Sequence, residues 1–381
     1  VLHRSLLLSS SLPVSLSRLF VFLDPQTNPA LMDRGTLPWW TYAPVRVAFF
    51  RPLAALTHWL DSRLWPASPL LMHAQSLLWY VGACATAAAL YQRLMGRRLA
   101  AGLAALILAA SMAHASLLSA ISSRNVVQTV LFGCLTLLLH DRWRRGGRPG
   151  SALLGMLTLA LALLSAEGGV AACAYLAAYA LCLDRKSWPS RLASLLPYAA
   201  IVALWRLLYQ RLGYGAWASG FYIDPAREPA RYLGELLAQG PVLLVGQWLL
   251  PDVGAYALLS TALRYATWLF ALAFLLLIGG LLVPLWQKSR QARFWGLGMA
   301  LSVLPVCAVT FSSGRHMVWV GAGAAGAVVA AASLPGFAVA PVLGLGFLIL
   351  GVAGVRYLSS EDGHVFLVLA LGLAGAFFGP R

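Results

Sequence analysis

LHDRWRRGGRPGSALLGMLTLALALLSAEGGVAACAYLAAYALCLDRKSWPSR, residues 139–191, sets out the pattern on which the whole chain is built. Two apolar runs, 151–165 and 168–183, meet at a turn holding one carboxylate, Glu167, and arginine-rich loops flank the pair. At about 1.5 Å per helical residue, such runs cover most of a hydrocarbon core roughly 30 Å thick. The stretch therefore reads as a hairpin of two membrane spans with its cations on one side. Comparable runs recur near 70–92, 99–119, 125–140, 193–211, 257–285, 294–311, 317–334, 337–355 and 364–379, giving about eleven spans. Residues 5–23, Ser- and Leu-rich but broken by Pro13 and Arg18, add a weaker twelfth. They lack a convincing small-residue cleavage site and so read as a span, not a signal peptide. With 60% apolar and 10% charged residues, the composition excludes an ordinary soluble domain. The expected fold is all-α, one polytopic transmembrane helix bundle over residues 1–381.

The net charge of +16 follows from topology. Arg93, Arg97 and Arg98, then Arg142, Arg144, Arg145 and Arg148, then Arg185, Lys186 and Arg191, then Lys288, Arg290 and Arg293 occupy alternate loops, which the positive-inside rule places in the cytoplasm. Residues 24–69, 120–124, 165–168, 212–256, 312–316 and 356–363 then lie outside. The outer side receives ten of the twelve carboxylates, leaving Asp141 and Asp184 inside. A nucleic-acid partner would require a contiguous basic surface with polar readout residues, and none is evident. The five cysteines sit in apolar spans without CxxC or Cys/His spacing, so they read as small core residues.

Two outer loops, 24–69 and 212–256, exceed what a connection needs, and function concentrates in such loops. The first carries LPWWTYAP (37–44) and then FFRPLAALTHWLDSRLW (49–65), in which Leu53, Leu56, Leu60 and Leu64 recur at helical spacing. That pattern predicts a helix lying in the interface, opened by Pro52 and closed by Pro66. The second carries GFYIDPAREPARYLGELLAQ (220–239), with Tyr222 and Asp224 before a short helix, and Pro241 is expected to begin a separate apolar stretch. GLGMALS (296–302) and GAGAAGAVVAAAS (321–333) predict close helix approach through small residues.

Ionisable residues at the outer ends of spans are the candidates for chemistry, because charge at membrane depth is costly and tends to face a cavity. Arg51, Arg124, Glu167, Arg206, Arg264, Arg315 and His316 fit that description. Arginine forks suit phosphate oxygens, while arginines reaching for lipid headgroups are the competing reading. His58 and Asp61, three apart, read as a structural pair, and His73 and His114 have no partners at zinc-ligand spacing.

The order FFRPLAALTHWLD (49–61), SPLLMHAQSLLWY (68–80), SAISSRNVVQTVLFGCLTLLLHDRWRR (119–145), SAEGG (165–169), LCLDR (181–185) and SSGRHMVWVGAGAAG (312–326) resembles the GT-C class of membrane glycosyltransferases. It is most similar to bacterial relatives of the protein O-mannosyltransferases and of the transmembrane TPR-type O-mannosyltransferases, without the TPR domain. The resemblance covers roughly residues 20–335 and rests on motif order and spacing. It implies about twelve helices in a bacterial cytoplasmic membrane, an extracytoplasmic site, a polyprenyl-phosphate-linked sugar donor, and inverting hexosyl or mannosyl transfer to a protein or glycan hydroxyl. The family's acid in the first outer loop, acting as base or metal partner, maps to Asp24, with Asp33 second. Arg-Pro-Leu maps to Arg51, Pro52 and Leu53, and the late outer-turn arginine to Arg315. Arg51, Arg124 and Arg315 are then expected to hold the donor phosphate, Glu167 and Asp224 to line the acceptor side, and Tyr222 and His316 to bind substrate. A divalent cation is the one cofactor the resemblance brings into view, and no ligand set for it stands out. The chain departs from the pattern where Pro25 follows Asp24 in place of a second acid, and where SMAHAS (111–116) carries none. A transporter of a lipid-linked substrate and a non-catalytic membrane scaffold are the alternatives from other classes.

Overall fold

The computed structural model describes residues 11–111, 120–249 and 253–332. Among these, the chain is mostly helical. The elements run α1 (Leu12–Arg18), β1 (Val21–Leu23), α2 (Asn28–Asp33), β2 (Arg46–Ala48), α3 (Pro52–Leu64), α4 (Pro69–Met95), α5 (Arg98–Ala109) and α6 (Arg124–Arg144). They continue as α7 (Gly150–Ser165), α8 (Ala171–Cys182), α9 (Trp188–Arg211), β3 (Gly215–Trp217), α10 (Pro229–Leu249), α11 (Thr261–Lys288), α12 (Arg290–Val306) and α13 (Val318–Ala332). Three segments are long and apolar enough to cross a membrane, Ile121–Arg144, Trp188–Arg211 and Thr261–Gly280. The last two runs read from the sequence, 337–355 and 364–379, lie outside the described residues, as does His114.

The helix limits follow local chemistry. Ser68 caps α4 by accepting from the Leu71 amide at 3.4 Å, and Pro69 takes the first helical position, where its missing N–H is not needed. The helix stops at Gly96, whose φ of 70° lies in the left-handed region that other residues enter at a cost.

Small residues set the core. A Cβ on Gly298 of α12 would lie 2.4 Å from the Tyr175 ring, and one on Gly326 of α13 would lie 2.4 Å from Trp295. With so little side chain in the way, Tyr91 of α4 donates to the Ala322 carbonyl of α13 at 2.7 Å, and Tyr175 of α8 reaches the Trp319 carbonyl. Gly298→Val is therefore expected to lower stability by about 1–3 kcal/mol through overpacking. Gly280→Val, where a Cβ meets nothing within 4 Å, should be neutral. Thermal unfolding in detergent compares the two, and equal effects would refute this account of the core.

Four sequence expectations change. First, the fold is not purely helical: β1, β2 and β3 form an antiparallel sheet in that order, with Val21 opposite Ala48 and Arg46 opposite Trp217. Second, the described part of 5–23 is not one span, because Pro13 opens a helix of 7 residues and Val21–Leu23 leaves it to pair with β2. Third, α3 presents Ala54, Ala55, Thr57, Asp61 and Ser62 to the interior, while Leu64 stays 63% exposed. Leu53, Leu56 and Leu60 are half-buried, so the leucines do not form one exposed face, and the small and polar face meets the bundle. Fourth, Pro241 lies inside α10. A proline forfeits a single backbone bond, and Val242, Leu243 and Val245 are buried around it, which offsets that loss.

Candidate functional site

The sheet joins the two long loops: β2 comes from the first and β3 from the second, with β1 in the segment just before the first. A second junction forms where Ile223 donates to the Ala308 carbonyl at 2.8 Å and Thr310 to Phe221 at 2.9 Å, with Tyr222 bridged to Val309. Backbone pairing thus ties both loops to the segment that leads into the turn Gly314–Met317.

Arg51 caps the entry to α3 and meets Glu167 from a turn 116 residues away, with Nε at 2.8 Å and Nη2 at 2.6 Å from one carboxylate oxygen. The other oxygen accepts from the Tyr209 hydroxyl at 3.3 Å, and the same hydroxyl lies 3.3 Å from the Ala48 carbonyl. The Arg51 guanidinium lies over the Phe49 ring at 4.2 Å and the Phe20 ring at 5.3 Å, contacts favourable for a cation. Glu167 reaches this point because Gly169 sits against the Ala162 backbone, where a Cβ would lie 2.7 Å from the carbonyl oxygen. The Tyr222 ring packs on Phe49 at 5.2 Å.

Asp24 is placed at the far end of the strand pair. Its carboxylate accepts from the Gln26 amide at 3.1 Å and lies 3.5 Å from Arg46. From Asp24 back to Phe20, beside Arg51, is four residues of chain, roughly 13 Å. The two foci are nonetheless connected. The Arg46 and Arg227 guanidiniums lie 5.3 and 5.4 Å from the Trp217 ring. Asp224 takes Arg206 at 2.6 Å and approaches Arg227 at 3.9 Å, and Arg206 lies 5.9 Å from the Tyr209 ring that leads to Glu167. Alternating carboxylates, guanidiniums and aromatic rings thus run without a break from Asp24 to Arg51.

The remaining expected residues are distributed differently. Arg315 is exposed, with no carboxylate partner among the described residues, and Asp33 is exposed at the end of α2. Arg124 is displaced from the site. It is fully buried, pairs with Asp61 at 2.6 Å, and donates to Ser76, the Met72 and Thr57 carbonyls and Gln75. Its donors face the joint between α3, α4 and α6, where the side chain is closed to solvent. Asp61 accordingly serves Arg124 rather than His58.

His316 accepts from the Ser313 amide through Nδ1 at 3.1 Å, which leaves Nε2 to carry the proton. Burial, then Arg315 and Arg51, push its pKa from 6.5 down to about 3. Burial, then Arg124, push His58 to about 3 as well. Each folded-state value is depressed, so the unfolded chain binds protons first as pH falls. Stability is then full above about pH 6.5 and is lost toward pH 3, by at most about 1.4 kcal/mol per pH unit for each group. Unfolding temperatures of wild type and His316→Gln between pH 7 and pH 5 test this: the variant should show the shallower decline.

Sequence reasoning missed Arg46, Trp217, Tyr209 and Arg227. The alternation in VRVAFF (45–50) is a strand signal that would have found Arg46, whereas nothing local marks the others. No three of His, Cys, Asp and Glu converge as metal ligands among the described residues. Compared with known proteins, the chain matches no family model, no curated protein and no solved structure.

Proposed function

We propose that this chain is a polytopic membrane glycosyltransferase of the GT-C kind. In this reading it has about twelve spans in a bacterial cytoplasmic membrane and moves a hexose from a polyprenyl-phosphate donor to an acceptor hydroxyl at the outer face. The observation that carries the reading is the continuous network from Asp24 to Arg51. Its parts match the substrate: guanidiniums for phosphate oxygens, aromatic faces for sugar rings, and carboxylates for hydroxyls.

Asp24 takes the acceptor's proton as the new bond to the sugar C1 forms. The bond from C1 to the phosphate oxygen breaks, and polyprenyl phosphate leaves with the electron pair. Arg315 and Arg51 favour that leaving group as charge builds on it, with His316 as a neutral donor beside them. Tyr222, Asp224 and Glu167 line the acceptor side, and Asp33 is the second choice of base. A donor lying along β2 meets both foci. Arg124 has no part in this scheme.

The test is transfer from a radiolabelled polyprenyl-phosphate sugar in proteoliposomes containing the full chain. Label should pass to a hydroxyl acceptor with release of polyprenyl phosphate. Counterflow of unchanged donor without transfer would replace the reading with transport, and neither activity would leave a membrane scaffold.

A further inference from the structure

At the end of the bundle opposite the sheet, the last turns of α4, α6 and α8, the 184–186 loop and the junction of α11 with α12 enclose a cavity of about 670 Å³. That is ample for a small ligand. Three arginines of its lining share two carboxylates. Asp141, fully buried, takes Arg93 and Arg145, each at 2.7 Å, and accepts from Tyr179 at 2.9 Å. Asp184 takes Arg144 at 2.6 Å. Four further cations line the same cavity, Arg185, Lys186, Lys288 and Arg290, and none pairs with a carboxylate among the described residues.

Seven cations therefore face two carboxylates. Four helices, α4, α6, α8 and α11, end here and each contributes about half a negative charge, while the start of α12 contributes about half a positive one. Roughly three to four positive charges remain uncompensated. The positive-inside rule accounts for cations in these loops, but not for their convergence from four separate segments onto one cavity. Leu94, Met95 and Leu183 add an apolar part to the lining.

We propose that this cavity binds a phosphate-bearing anion, the chemistry shared by an anionic lipid headgroup and a soluble phosphate compound. The paired arginines are held in place by Asp141 and Asp184, and the four unpaired cations supply the attraction. In the orientation proposed above the cavity opens to the cytoplasmic side, where basic pockets between helices take lipid headgroups. The inference does not depend on sugar transfer.

The full chain, purified in neutral phosphatidylcholine nanodiscs, is titrated with inorganic pyrophosphate by calorimetry. In parallel, retention of phosphatidylglycerol is read by native mass spectrometry. The variants are Arg185→Gln with Lys186→Gln, Lys288→Gln with Arg290→Gln, and all four together, which leave every ion pair intact. Each cation removed should weaken binding about fivefold, and the charge-keeping Lys288→Arg should bind as wild type does. Retained phosphatidylglycerol identifies the lipid source, and pyrophosphate binding alone identifies a soluble one. Absence of both from the wild type, or equal binding by wild type and either pair variant, overturns the proposal.

Discussion

Asp24→Asn is expected to lower sugar transfer by about 10²–10⁴-fold, the usual loss when a positioned general base is removed. The substitution keeps the shape of the side chain and its amide-facing oxygen, so the turn at 24–28, where Asn28 also accepts from the Asp24 amide at 2.9 Å, should persist. Thermal unfolding within a degree or so of wild type would show that the loss is chemical. Glu167→Gln provides the contrast. Its carboxylate holds Arg51 and Tyr209, so its removal should release Arg51 and act on donor KM as much as on kcat. Transfer kinetics in proteoliposomes separate the two patterns. Full turnover by Asp24→Asn would move the base to Asp33 or Glu167, and full turnover by Asp24→Asn, Asp33→Asn and Glu167→Gln alike would sink the enzyme reading.

Arg124→Met is expected to destabilise the protein by about 3–5 kcal/mol, because it leaves Asp61 buried without its counter-charge. Arg124 and Asp61 have side-chain exposures of 0% and 2%, so water cannot take the place of either partner. Burial raises the Asp61 pKa, against the pull of Arg124 and Trp65, and losing Arg124 removes most of that pull. The double variant Arg124→Met/Asp61→Leu should recover much of the stability, since an apolar pair of similar volume can replace a buried ion pair. Unfolding in detergent of both single variants and the double is the measurement. A double variant as unstable as the singles would mean that Ser76, Gln75 and the Met72 and Thr57 carbonyls, not the ion pair, dominate this joint.

Hydrophobic periodicity located the helices. The run read at 70–92 is observed as Pro69–Met95, and that at 193–211 as Trp188–Arg211, because apolar length and loop charge are local properties of the chain. The small-residue stretches were equally legible, and Gly298 and Gly326 lie against aromatic rings. The sheet was not. Beyond the alternation at VRVAFF (45–50), its strands have 3 residues each, too few for a period of two to stand out, and they pair only because the helices bring the loop ends together.

The sequence by itself determined the membrane-like helical character, the segregation of cations from carboxylates along the chain, and the pool of ionisable groups at the helix ends. Only the tertiary structure decided which of those groups meet. Arg51 found Glu167 at a separation of 116 residues, whereas Arg124, alike in the sequence, was drawn into a buried joint with Asp61. The reason is physical: burying an apolar run depends on composition that any stretch can display, but the partner of a charge depends on packing between helices that no local pattern encodes.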